Sequence, residues 1–190
     1  GIYSEFFDNE GVSFSTGSMP SLIDRVPDHV RLESSLQYNS MYAAYPGLDD
    51  RFKNNWGARF SGLIDIPETG NWTFFLTSDD GSEFWVDGIS MVTNHGSHGM
   101  RELSGYRNLS AGMHDFRAEF FQGGGPHGLK LAWSGPNQSK VLIPPTAFFV
   151  ANSTPPSPST LLHAWNFDEG TGLETNDSAD ANGSLTLHNM

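Results

Sequence analysis

Asn71-Trp72-Thr73-Phe74-Phe75-Leu76-Thr77-Ser78-Asp79-Asp80-Gly81-Ser82-Glu83-Phe84-Trp85-Val86-Asp87-Gly88 is the stretch from which the fold can be read. Between Asn71 and Ser78, Trp72, Phe74 and Leu76 fall on one face, and Thr73, Phe75 and Thr77 on the other. A period of two is that of a strand, whose successive side chains point to opposite sides. Asp79-Asp80-Gly81 interrupts the run with residues suited to turns, and Ser82 to Val86 resumes it. The expectation is a β-hairpin, with a second turn at Asp87-Gly88, residues that tolerate positive φ.

The same pattern extends in both directions. Gly57 to Ile66 is a predicted strand that stops at Pro67-Glu68-Thr69-Gly70. Arg101 to Leu109 is another, turned by Ala111-Gly112 into Met113 to Phe121, where His114, Phe116, Ala118 and Phe120 share a face. Beyond the loop Gln122-Gly123-Gly124-Gly125-Pro126-His127-Gly128, the residues Leu129, Leu131 and Trp133 align. Short strands at this spacing predict an all-β, antiparallel sandwich or barrel. Upstream of residue 57 the pattern is irregular. A strand is expected over Tyr3 to Phe7 and a short helix around Leu32 to Leu36, within a long N-terminal arm. Downstream, Ala151 to Thr160 carries three prolines among Ser and Thr, the composition of an extended linker. The chain therefore divides into a domain over 1–150, a linker over 151–160, and a segment over 161–190 too short for a core of its own.

Composition narrows the possible partners. The 190 residues include 22 Asp and Glu against 10 Lys and Arg, a net charge of −12, and no cysteine. That excess of acid argues against a surface that tracks nucleic-acid phosphates or an anionic membrane. It suits hard cations such as Ca²⁺, which take carboxylate and carbonyl oxygens. The lack of cysteine excludes disulfides, thiolate zinc sites and cysteine nucleophiles. No apolar run approaches the roughly 20 residues of a membrane-spanning helix. Gly1 in place of an initiator Met leads to the expectation that the chain is a module of a larger multidomain protein.

Two segments can carry chemistry. Adjacent carboxylates at Asp79 and Asp80 repel each other unless a cation or donors intervene, although Asp-Asp-Gly is also an ordinary turn. Asp49-Asp50 is an internal control, the same dipeptide in what reads as a solvated loop. In the second segment, successive glycines let backbone carbonyls approach a ligand closely. Asp79, Asp80, the Gln122 side-chain carbonyl and the carbonyls of Gly123 and Gly124 would supply most of a calcium shell. The alternative for this segment is a flexible connection. His95 and His98 have the H-x-x-H spacing of some zinc sites but lie among loop glycines without a third ligand. His98 and His127 fit better as hydrogen-bonding rim residues, or as plain exposed loop. Trp85 and Trp133 could stack on a ligand, though core packing is the default for such aromatics. Adjacent carboxylates do not face each other across a bond as a glycosidase pair does, and no nucleophile elbow or phosphate loop is present, so no catalytic role is expected.

Trp56-Gly57-Ala58-Arg59-Phe60-Ser61-Gly62, Thr77-Ser78-Asp79-Asp80-Gly81-Ser82-Glu83-Phe84-Trp85-Val86-Asp87-Gly88, Leu109-Ser110-Ala111-Gly112-Met113-His114 and Gly128-Leu129-Lys130-Leu131-Ala132-Trp133 together resemble the protective-antigen domain family. These are β-sandwich modules of bacterial toxins, glycosidases and adhesins. Gly1 to Asn9 looks like the family's opening strand, so the resemblance covers about residues 1–150. It implies a calcium-dependent lectin in which Asp79 and Asp80, joined by a cis peptide, hold Ca²⁺. The second loop would add an amide side chain and carbonyls, here Gln122, Gly123 and Gly124, with Gln where many members have Asn. Asp79, Asp80, Gln122, His98 and His127 would then face the sugar. The implied protein is a bacterial adhesin-like module, secreted or displayed on the cell surface, that binds glycans as a monomer. A calcium-rigidified assembly module and an accessory domain of an attached glycosidase are the alternatives. Leu162 to Gly172 resembles the first strand of a laminin-G or concanavalin-like jelly roll.

Overall fold

The computed structural model describes residues 1–9 and 21–151, together with the backbone of two short strands near the C-terminus. The chain separates into two compact units, Gly1–Ala151 and Asn152–Met190. Among the described residues the first contains twelve strands: β1 (Ile2–Asp8), β2 (His29–Glu33), β3 (Gln37–Met41), β4 (Trp56–Ile66), β5 (Gly70–Asp79), β6 (Ser82–Val86), β7 (Ile89–Asn94), β8 (Arg101–Leu109), β9 (Gly112–Gln122), β10 (His127–Gly135), β11 (Gln138–Leu142) and β12 (Phe148–Phe149). One sheet runs β2-β1-β4-β9-β6-β7, with β12 added to β4. The other runs β11-β10-β5-β8, with β3 added to β10. All pairings are antiparallel, and the two sheets form the expected sandwich.

The alternation seen in the sequence sets which residues meet between the sheets. Phe60, Ile64, Phe84, Val86, Phe116, Ala118 and Phe120 are buried from one sheet, and Trp72, Phe74, Leu76, Leu129, Leu131 and Trp133 from the other. Phe74 and Phe84 meet at 5.0 Å between ring centroids. Each such side chain contributes roughly 1.5–3 kcal/mol on full burial, so these faces can hold the sandwich together without disulfides.

Two expectations are corrected. The strands on either side of Asp79-Asp80-Gly81 are not a hairpin: β5 pairs with β8 and β10, whereas β6 pairs with β7 and β9. Placing Phe74 and Phe84 on opposite sheets lets both face the same core, and the triplet becomes a crossover between sheets. Ser110-Ala111 likewise carries the chain from β8 in one sheet to β9 in the other. Asp87-Gly88 does close a hairpin, between β6 and β7, with φ of 49° and 73°. The helix expected around Leu32 to Leu36 is also absent. His29–Glu33 is a strand in register with β1, Phe6 opposite His29 and Ile2 opposite Glu33, because pairing to a strand edge overrides a local sequence without clear period. Leu36 turns inward instead.

In the second unit, β13 (Glu174–Asn176) pairs antiparallel with β14 (Ser184–Thr186). The predicted linker past Ala151 and the rest of the jelly-roll-like segment lie outside the described residues.

Candidate functional site

Asp79 closes β5 and Asp80 opens the crossover, and the peptide between them is cis. Both are buried, at 5% and 6% exposure, whereas the control pair Asp49-Asp50 is exposed. Asp49 there caps a short 3-10 turn, accepting from the Arg51 backbone N–H, and pairs with the Arg51 guanidinium at 3.1 Å. The same dipeptide thus has opposite surroundings in the two places.

A polar lattice beneath the crossover fixes it. Ser78 Oγ and Ser82 Oγ are 2.7 Å apart, and Asn94 Nδ2 donates to Ser78 Oγ at 3.0 Å. Arg101 Nε donates to Asn94 Oδ1 at 2.8 Å, tying the ends of β5, β6, β7 and β8 together. At Gly81 the backbone approaches its neighbour closely: the carbonyl accepts from Phe121 N–H at 2.9 Å. A Cβ at Gly81 would fall 2.2 Å from Phe121 Cε1. Glycine is needed there for space.

Two loops meet the carboxylates. His98 N–H donates to Asp80 Oδ1 at 3.0 Å, and Gly123 N–H donates to Asp80 Oδ2 at 2.9 Å. Asp80 therefore anchors the loop after β7 and the loop after β9. Burial first, then the neighbouring Asp80 charge, pushes the Asp79 carboxyl up to about 6, against a smaller opposing pull from His98. In the glycine loop, Gln122 Nε2 donates to the Gly125 carbonyl at 3.1 Å and the Pro126 carbonyl at 3.4 Å. That fixes the amide orientation and leaves Gln122 Oε1 buried without a hydrogen-bond partner among the described residues. The Gly123 carbonyl accepts from Asn55 N–H at 3.0 Å, which leaves it one lone pair, while Gly124 is exposed. Gly125 has a φ of 89°, the left-handed region that glycine enters without penalty.

The histidines separate. His98 is half-buried at the edge of the site, its Nδ1 2.9 Å from the Gly99 carbonyl and its Nε2 3.2 Å from the Asn94 carbonyl. His95 instead lies 2.6 Å from Glu83 Oε2, so the two rings of the H-x-x-H spacing serve different partners. His127, expected on the rim, has no exposed surface: as the first residue of β10 it points into the core against Tyr45 and Trp56. Burial pushes its imidazole down to about 4, against upward pulls from the Ala43 carbonyl and Asp80. Trp133 is core, and Arg117 covers the ring of Trp85 at 4.2 Å. Sequence reasoning missed Ser78, Ser82, Asn94 and Arg101, whose small or polar side chains carry no periodic signal.

Among the described residues, no group of three or more His, Asp or Glu side chains is placed to hold a metal, so the local carboxylate count is two. The donors nonetheless fit a hard cation. Two buried carboxylates oppose each other's charge, and Gln122, next in sequence to the Gly123 that donates to Asp80, carries an orphaned, neutral amide oxygen; all of these are hard oxygen donors.

A two-sheet antiparallel sandwich with these crossovers is a β-module already known from other proteins. The chain belongs to the PA14 domain family, whose description matches residues 43–147. Over 105 residues it is 29% identical to anti-sigma-I factor RsgI3 of Acetivibrio thermocellus, covering 55% of this chain and 16% of that protein. It thus spans about a sixth of that relative's length. Among solved structures, an anti-sigma factor domain-containing protein superposes with a TM-score of 0.66 at 24% identity, over 80% of this chain and 49% of that one. A PA14 sugar-binding domain from an RTX adhesin superposes with a TM-score of 0.63 at 14% identity, over 80% of this chain and 98% of that one. At these identities the superpositions establish the fold.

Proposed function

We propose that the domain over residues 1–150 is a calcium-dependent carbohydrate-binding module of a secreted or surface-displayed protein, without catalytic activity of its own. The observation that carries this reading is the pair of buried, adjacent carboxylates at Asp79 and Asp80, with Asp80 tied to the glycine loop through Gly123 next to the unpartnered Gln122 Oε1. Asp79, Asp80, Gln122 and the free lone pairs of the Gly123 and Gly124 carbonyls would hold Ca²⁺. When bound, that ion accepts 6–8 oxygens and leaves positions for two adjacent sugar hydroxyls. Asp79 and Asp80 can accept hydrogen bonds from the same hydroxyls, the stronger, charge-assisted kind. Asp80 keeps the two loops at a fixed separation through His98 and Gly123, so the edge that meets a sugar is set before ligand arrives. His98 lines that edge, whereas His127 acts from beneath. The RTX adhesin domain, described as sugar-binding, supports the reading at the level of fold.

A glycan array with and without calcium tests it. Binding to a defined set of glycans in calcium, lost in EDTA and in Asp79→Ala, is the expected result. Binding that survives EDTA would remove the cation from the account. A second reading, an assembly module that the cation only stiffens, is favoured by the bracing role of Asp80. It predicts calcium binding with an empty array. The jelly-roll-like segment from residue 161 would then belong to the next module of the parent protein.

A further inference from the structure

Behind the carboxylate pair lies a knot of buried polar atoms that the described residues leave largely unsatisfied. Tyr45 Oη and Trp56 Nε1 are buried without a hydrogen-bond partner among the described residues, and of the two buried His127 ring nitrogens only one has the Ala43 carbonyl to bond. Their rings touch: centroids are 5.3 Å apart for Tyr45 and Trp56, 4.9 Å for Tyr45 and His127, and 5.5 Å for Trp56 and His127. Leaving a buried donor or acceptor unpaired costs roughly 1–3 kcal/mol, and native interiors leave few of them. Three such atoms in one place point to a bound species too small to be a side chain.

The strand register shows where this knot sits. His127 precedes Gly128, which lies opposite Asp79, and Trp56 lies opposite Gln122. Tyr45 is held well above its ordinary value by burial first, then by Tyr38 and Asp79, and the His127 ring senses Asp80. The three rings therefore form the floor under the site. With the one N–H of the neutral imidazole given to the Ala43 carbonyl, the Tyr45 O–H and the Trp56 N–H remain as donors, against the imidazole lone pair and the phenol oxygen. Two donors and an imidazole lone pair near a pair of carboxylates match a bridging water, which accepts from Tyr45 and Trp56 and gives its own hydrogens to the imidazole and the carboxylate.

We propose that Tyr45, Trp56 and His127 bind at least one ordered water on the inner side of the Asp79–Asp80 pair, and that this water orients the Asp79 carboxylate. A buried water is stable with two to four polar partners, and these residues with the carboxylate provide that number. Tyr45 and His127 are then positioning residues. None of the three rings brings a formal charge, so the water can steady the carboxylate without competing with a cation. The effect on cation binding rests on the calcium reading above; the water itself does not.

Two measurements on the whole chain separate these claims. In EDTA, water-to-protein NMR cross-relaxation at the Trp56 indole proton should report a long-lived water, and Tyr45→Phe should remove or displace it. An indole proton with no water contact, its N–H directed at a neighbouring ring face, would overturn the inference whatever calcium does. Calorimetric titration with CaCl₂ should then show Tyr45→Phe about tenfold weaker than the unsubstituted chain, the scale seen when a partner behind a metal ligand is lost. Melting in EDTA should be nearly unchanged. Equal calcium affinity in Tyr45→Phe, or a fall in melting temperature that accounts for the change, overturns the positioning role. His127→Phe repeats the comparison should Tyr45→Phe fail to fold. If the unsubstituted chain binds no calcium, the calcium reading and the positioning role fall together, and the indole experiment alone decides the water.

Discussion

Asp80 accepts the backbone N–H of Gly123 across 43 residues of sequence, at 2.9 Å, while its other oxygen holds His98. One carboxylate thus joins three separate connections of the sandwich. Hydrogen bonds to a charged group contribute roughly 1.5–3 kcal/mol each, so Asp80→Ala should destabilise the metal-free domain by about 2 kcal/mol or more. Urea denaturation in EDTA measures this. Hydrogen exchange at His98 and Gly123 should rise together; an increase at only one of them would contradict a shared anchor.

Asp79 should behave in the opposite way. Its folded-state carboxyl titrates near 6, above the ordinary carboxylate value. Between the two values the folded chain holds a proton that the unfolded chain has released. The stability this group contributes is therefore lost as pH rises through that window. In EDTA the domain should gain stability from pH 7 to pH 5 through this group, and Asp79→Asn should flatten the trend. Thermal melts at both pH values check it, and an unaltered slope in Asp79→Asn would count against Asp79 as the source.

His114 gives a second pH signature, away from the site. Burial disfavours its imidazolium, but Asp87 Oδ2 at 2.8 Å and the Ser110 carbonyl at 2.9 Å outweigh burial and raise its pKa. Its contribution should be complete below the ordinary imidazole value and disappear as pH rises through the folded-state value. NMR titration of the His114 ring should give a midpoint above that of an unfolded peptide, and Asp87→Asn should lower it.

Gly81→Ala tests the close approach at the crossover. The new methyl would meet Phe121 Cε1 at 2.2 Å and the Gly96 carbonyl at 3.0 Å, so the crossover or the ring must shift. A loss of about 1–3 kcal/mol is expected, the usual cost of overpacking. Gly99→Ala, with no atom within 4 Å of the added carbon, should be close to neutral.

Gln122→Met separates ligand from scaffold in the glycine loop. It removes the orphaned oxygen and also the amide donors to Gly125 and Pro126. If Gln122 is a ligand, calcium affinity should fall at least tenfold. If it only closes the loop, exchange should increase over residues 123–126 with affinity nearly intact.

The strands were legible because period-two alternation puts Trp72, Phe74 and Leu76 on one face whatever their partners are. Which sheet each strand joins was not legible, since Asp-Asp-Gly suits a hairpin and a crossover equally. Only the packing of Phe74 on Phe84 across the core decides between them. The carboxylate pair was legible from its chemistry, but its burial was not, as the exposed Asp49-Asp50 demonstrates. His127 was misplaced because a histidine after Gly-Gly-Gly-Pro reads as loop, whereas here it starts a strand whose first side chain turns inward.

The three-way junction at Asp80 also bears on how quickly the domain assembles. A contact that spans 43 residues closes a long loop before it is rewarded, and such contacts complete late in folding. A ligand gripping this junction therefore has little to hold in the transition state. It should leave the refolding rate almost unchanged and slow unfolding instead, so the lifetime of the folded domain becomes the quantity that ligand controls.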